Sequence, residues 1–360
     1  MKRNKAVAVC AALSVAVAGL ALATPSYADP ISNSYVLVGS DTLQDSGNAL
    51  ANGTSITGGV VRVTASGNSI GSFDAFGSAA IQAKQGGAYF ARPAGSGDGI
   101  RALSRSIDGA AFSVPGNSTP AISITGQVDI ARTSSSAGGT ANANGLLAYV
   151  PYGRDALSYA YVGTGLGEIT AAQLKSIYEC TLTSINGVPV TPVLPQSASG
   201  TRKFFLSAIG VTTPAGCVVQ NGVAENDGTV ITAGQIIPFS VASYIAQSNG
   251  AGLDRTGSSL LGSPLPGIAP FTGTGTALAA NPTYYASSVF GRDTYLVVEQ
   301  ARIDPNNAKY DENLADLVNP ALTKSLTNFN TITSSTSGSV KKKFGFLAPS
   351  STTVVRANLT

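Results

Sequence analysis

Apolar positions along the chain follow two rhythms. Short runs rich in Val, Ile, Tyr and Phe, such as Tyr35-Val36-Leu37-Val38, Val60-Val61-Arg62-Val63 and Ala88-Tyr89-Phe90-Ala91, have the length and residue types of strands. Ile122–Ile130 contains a further strand, and Pro189–Leu194, Ile236–Phe239 and Arg292–Glu299 read the same way. Gly145–Pro151 and Tyr152–Tyr161 read as two strands back to back, where the chain passes from one lobe to another. Between them lie helical patterns: a polar one from Leu43 to Ala51, one opening at Ile100, and one over Ile169–Tyr178 with Thr170 as its cap. Phe204, Phe205, Ala208 and Ile209 share a helix face that Gly210 would end, and Val241–Ala246 and Ala315–Phe329 are also helical. Thr331–Val340 reads as a mobile loop. Strands alternating with helices in this way predict an α/β fold rather than a sandwich.

The first residues belong to neither rhythm. Lys2, Arg3 and Lys5 precede an apolar run from Ala6 to about Leu22, and Ser26-Tyr27-Ala28 is a small-x-small cleavage signature ahead of Asp29. This is the pattern of a secretory signal peptide, residues 1–28, whose apolar run is too short for a stable membrane span. Only Ala6 to Val9 separate Cys10 from the charged region, which argues against a lipid-modified Cys10. The expected location is outside the cytoplasm: extracellular, at the cell surface or in a periplasm. Removing residues 1–28 from 360 leaves 332 residues, in which 19 Lys and Arg face 19 Asp and Glu. A formally neutral chain without clustered cations is not built for nucleic acid, whose affinity rests on Lys and Arg. Cys180 and Cys217 remain, and export predicts a disulfide between them.

The chain contains no histidine. That excludes a Ser-His-Asp triad, a Cys-His pair and His-based zinc sites, and no clustered pair of carboxylates stands out for acid–base work. Neither an enzyme nor a cofactor or metal is expected. A repeated loop chemistry is present instead. Four times a strand runs into a turn of Ser, Thr and Gly: at Gly39–Thr42, Gly95–Gly99, Ala131–Ser136 and Ser197–Thr201. A helix start presents unpaired N–H groups and about half a positive charge. Hydroxyls add donors without bulk, and glycine lets the backbone approach closely. Several such ends in one cleft would bind a dehydrated oxyanion largely through neutral dipoles. Taken singly, each loop is an ordinary cap or tight turn, and Arg154-Asp155 reads as a structural pair near the crossover. Gly95, Gly97 and Gly99 lack the dinucleotide spacing, and no Walker Lys-Ser/Thr follows them.

In order, these motifs resemble the phosphate-binding proteins that feed ABC importers, of the two-lobed type 2 periplasmic-binding-protein fold. The resemblance covers most of the chain after residue 28. It is carried by Gly39–Thr42, Gly95–Ile100, Asp129–Ser134, Tyr149-Val150-Pro151, Leu174–Tyr178 and Ser199-Gly200-Thr201, with Glu225–Gly228 and Pro238-Phe239-Ser240 similar to the family's return crossover. It implies two α/β lobes, each a mixed sheet flanked by helices, joined by two crossover segments: lobe I over 29–148 and 240–360, lobe II over 149–239. It implies ligand-binding roles for Thr42, Ser96 or Gly97, Ser134, Ser199, Gly200 and Thr201. The family pattern has an Asp where this chain has Ser134 and an Arg where it has Pro195, so Arg132 or Arg202 is the expected source of positive charge. The function implied is a monomeric, exported solute-binding protein that captures a small oxyanion, phosphate first, for an ABC permease. The alternative is an exported or surface protein of the same fold that binds another ligand and no longer serves transport.

Overall fold

A computed structural model describes residues 35–360, so the expected signal peptide lies outside the described residues. One mixed sheet takes ten strands: β1 (Tyr35–Gly39), β2 (Ile70–Ser72), β3 (Ile130–Thr133), β4 (Leu147–Tyr161), β5 (Thr191–Pro195), β6 (Val219–Val223), β7 (Gln235–Ser240), β8 (Leu260–Leu261), β9 (Gly291–Glu299) and β10 (Val355–Ala357). Its order is β6-β5-β7-β4-β9-β3-β1-β2, with β8 and β10 also paired to β4. β2 and β3 flank β1 in parallel, and β6 and β7 flank β5 in parallel. Between these two parallel groups run β4 and β9, antiparallel to each other and to their neighbours. The flanking helices are α1 (Gln44–Asn52), α2 (Ser96–Asp108), α3 (Ala171–Tyr178), α4 (Gly200–Ala208), α5 (Val241–Ser248) and α6 (Ser337–Lys343).

Strand alternation explains where the cores sit. Tyr35 and Leu37 of β1, with Leu296 and Val298 of β9, enter a core on one sheet face; Val36, Val38 and Val297 enter a core on the other. A sheet covered on both faces reads as continuous apolar runs, which is why these strands are conspicuous in the sequence. A third core surrounds the other half of the sheet, from Ala156–Ala160 of β4 through β5 and β7. It also takes in Val241, Tyr244, Tyr284, Tyr285 and Phe290. α5 contributes to two cores, since its Ala242 and Ala246 enter the one that takes Tyr35 and Leu37. α5 hangs directly from β7, with the Tyr244 ring edge-on to Phe239 at 5.9 Å, and the chain crosses back through β9.

Other differences have local causes. The two strands expected over 145–161 are one uninterrupted strand of 15 residues, β4, because both halves find partners on the same sheet. Val60–Val63 is not a strand: Val61 makes a single bridge to Thr54, and the Val63 amide donates to Leu50 O at the end of α1. The helix expected over 315–329 is confined to Glu312–Leu317, since Pro320 has no amide with which to continue it. Thr331–Val340 is no free loop, for Ser337–Val340 are buried in the first turns of α6. The disulfide Cys180–Cys217 is formed, tying the end of α3 to the approach of β6. Among the described residues, no helix is long and apolar enough to cross a membrane.

Candidate functional site

The carboxyl ends of β1, β3 and β5 meet where α2 and α4 begin, the position at which α/β sheets hold ligands. Gly39 and Gly99 set the approach of the first strand to α2. Gly39 has φ +112°, and a Cβ on Gly99 would stand 2.6 Å from Gly39 Cα, so strand and helix come closer than side chains allow. Ser199 caps α4 by accepting from the Arg202 amide at 2.8 Å, which leaves its own hydroxyl proton free to donate.

The loops expected to share a site do come together. The Ser96 hydroxyl lies 3.2 Å from Ser134 Oγ and accepts from the Ser134 amide at 3.0 Å. Ser40 Oγ donates to Ser134 Oγ at 3.4 Å, and the Thr42 and Thr201 hydroxyls lie 3.4 Å apart. Gly200 sits among them: a Cβ there would come within 3 Å of the hydroxyls of Ser96, Ser134 and Ser135. Gly97, also expected there, faces Ala198 and Lys203 instead, and its amide donates to Ala198 O at 3.2 Å. Thr42, Ser96, Ser134, Ser199 and Thr201 are all buried, so the cluster is a solvent-shielded recess lined by hydroxyls.

The expected cations are elsewhere. Arg132 belongs to β3, not to a loop, and is fully buried. Its guanidinium donates to Ser40 O at 3.0 Å, Ser72 Oγ at 2.8 Å and Phe73 O at 2.6 Å, and burial lowers its pKa to about 10. It clasps the ends of β1 and β2 rather than facing the hydroxyls. Arg202 reaches back to Pro195 O at 3.0 Å and to Gln220.

The cation in the recess is Arg292 of β9, which the sequence reading passed over. Its Nη2 donates to Thr201 Oγ1 at 3.1 Å and, more weakly, to Thr42 Oγ1 at 3.5 Å. Nε and Nη2 hold Asp155 Oδ2 at 3.0 and 2.8 Å, while Asp155 Oδ1 accepts from Ser240 Oγ and the Ala242 amide. The pairing follows from register. Arg292 stands opposite Asp155 and Asp293 opposite Arg154, so two Arg-Asp doublets on antiparallel strands pair reciprocally on opposite faces. The expected Arg154–Asp155 pair therefore does not exist, because neighbours on a strand point apart. The two doublets were the legible signal for Arg292.

Glu225, 1% exposed, is the second unforeseen member. Its Oε2 accepts from Thr201 at 3.0 Å and Thr42 at 3.4 Å. Asn226 donates to Asp41 Oδ1 and Thr42 Oγ1, both at 3.3 Å. Burial, and then the neighbouring Glu225, push the Asp41 carboxyl well above its ordinary range. Arg292 Nη1, a buried donor, has no hydrogen-bond partner among the described residues. Such an atom is costly unless a bound molecule meets it.

No protein-family model and no curated protein matches the chain. Solved structures do. An ABC-type phosphate transport receptor from Vibrio cholerae matches with a TM-score of 0.52 and 15% identity, over 88% of this chain and 100% of that one. A phosphate-binding protein from Stenotrophomonas maltophilia has a TM-score of 0.49 and 13% identity, over 89% of this chain and 92% of its own. At such identities the likeness is one of fold, and the receptor establishes it: this chain adopts the mixed α/β fold of that phosphate transport receptor.

Proposed function

We propose that this protein is an exported solute-binding protein that captures inorganic phosphate among Thr42, Ser96, Ser134, Ser199, Gly200 and Thr201 and presents it to an ABC-type permease, without catalysis. The observation that carries the reading is Arg292 Nη1, a buried donor without a partner, held beside the hydroxyls of Thr42 and Thr201. Glu225 accepts from the same two threonines and shares a hydrogen bond with Asp41. A tetrahedral oxyanion bearing one proton suits both side chains. Its charged oxygens take the Arg292 donor, the hydroxyls and the first amides of α4, and its own O–H donates to Glu225. The positive charge that Pro195 lacks thus comes from β9, and the acceptor that Ser134 lacks comes from Glu225.

The rest of the reading follows from the fold. The receptor likeness supports delivery to a permease, and the pattern of residues 1–28 supports export. One chain supplies the entire cluster, so the working unit is a monomer. We place the lobes at 35–155 with 291–360, and at 156–290, joined by β4 and β9.

Equilibrium dialysis against radiolabelled phosphate at low ionic strength tests this. Saturable uptake of one equivalent at micromolar ligand is expected, with sulfate a poor competitor because it brings no proton to Glu225. Arg292→Lys keeps the charge but loses the fork, and should weaken binding by roughly tenfold or more. Folded protein that takes up no phosphate would refute the proposal.

A further inference from the structure

We infer that the site also accepts phosphate monoesters of small polyols or sugars, the carbon substituent lying in a cleft beside the oxyanion recess. The inference rests on the phosphate reading and extends it. A cleft of about 590 Å³ is lined by Ser96 and Ser135, which also border the recess, and by Gly97. That volume lies within the roughly 300–1,000 Å³ typical of small-molecule sites and far exceeds what a free phosphate fills. Val114 and Tyr149 in its lining suit a carbon skeleton, and Gln196 and Lys203 line it too.

Arg101 pairs with the buried Asp98 and Gln196 Nε2 donates to Ala94 O, yet some polar atoms of the cleft stay unspent. Ser135 Oγ, Gln196 Oε1 and Arg101 Nε are buried without a hydrogen-bond partner, and Lys203 is exposed with no ion pair among the described residues. A purely apolar substituent would leave those atoms unsatisfied, whereas hydroxyls answer a donor and an acceptor alike. Ser96 and Ser135 stand at the boundary, so an ester oxygen on the phosphate would point from the recess into the cleft without passing Arg292 or Glu225.

The experiment is competition dialysis on the full chain at about pH 6, where roughly half of a monoester still carries the proton that Glu225 accepts, with labelled phosphate as tracer and glycerol 3-phosphate and glucose 6-phosphate as competitors. At least one ester is expected to displace the tracer within about tenfold of the concentration that unlabelled phosphate requires. Val114→Trp or Ser136→Trp, each placing an indole in the cleft, should weaken that ester by about tenfold and leave phosphate within roughly twofold. If phosphate binds but neither ester competes at a large excess, or if both tryptophan variants weaken phosphate and ester equally, the inference is overturned and the phosphate reading stands. If folded protein binds the esters but not phosphate, or binds neither, the phosphate reading fails and takes this extension with it.

Discussion

Gly200 opens α4 with ordinary helical backbone, so an alanine there meets no conformational penalty; what it meets is the ring of hydroxyls from Ser96, Ser134 and Ser135. Those oxygens end short side chains that can swing aside, while the new methyl would stand where the oxyanion belongs. Gly200→Ala is therefore expected to cost about 1–3 kcal/mol in binding, a loss of roughly tenfold or more, yet to move Tm by no more than about 3 °C. Dialysis and calorimetry on one preparation would check both halves. Asp41 allows a test by pH. Its folded pKa is raised by burial and by Glu225, so the folded chain keeps a proton that the unfolded chain releases near 3.8. That contribution is complete below about pH 4 and is lost as pH rises through the folded value. Asp41→Asn keeps the shape and removes the titration. The variant should match the wild type near pH 4 and exceed its stability at pH 8 in urea unfolding; a difference constant with pH would count against this origin.

At the scale of elements, the disulfide makes the plainest prediction. Cys180–Cys217 spans a sequence separation of 37 and anchors the approach to β6, an edge strand whose pairing is to β5 alone. By chain entropy, replacing both cysteines with alanine should cost about 4 kcal/mol, read as a lower urea midpoint in oxidised samples. Elements of this kind were largely legible. β1, β5, β7 and β9 announced themselves as apolar runs, and Thr170 completes the capping box of α3 with Gln173. Elements failed where a neighbour, not propensity, decides: Val60–Val63 spends an amide on Leu50 O, and β4 is continuous because the sheet continues beneath it. The recess divides in the same way. Its hydroxyls and glycines follow strands and start helices, which is a local signal. Arg292 and Glu225 arrive from 91 and 24 residues beyond Thr201, and no local pattern joins them. Arg132 misled because a cation beside a Ser/Thr loop looks like a ligand, whereas its burial makes it a clasp for backbone carbonyls.

For the whole molecule, the proposed function ties closure to the ligand. In the proposed division the halves join through β4 and β9 and through α5, whose Ala242 and Ala246 pack into the first half's core, while at the recess they meet through polar contacts such as Thr42 with Thr201, the Gly97 amide with Ala198 O, and Gln196 Nε2 with Ala94 O. Hydroxyl pairs at 3.4 Å are weak, and Arg292 Nη1 remains unmet with the halves together. Without an anion, then, a closed arrangement leaves the Arg292 Nη1 donor buried and unmet, and water in a parted cleft would serve it better. On the proposed reading, bound phosphate would reverse the balance by giving Arg292 Nη1 its acceptor. Small-angle scattering should show the radius of gyration contract on adding phosphate, with Tm rising in parallel, since ligand at a thousandfold its Kd stabilises by about 4 kcal/mol. Gly200→Ala should show neither response at the same phosphate concentration. If Tm rises while the radius stays fixed, the halves are already together before the anion arrives, and the two strands act as a rigid beam rather than a hinge.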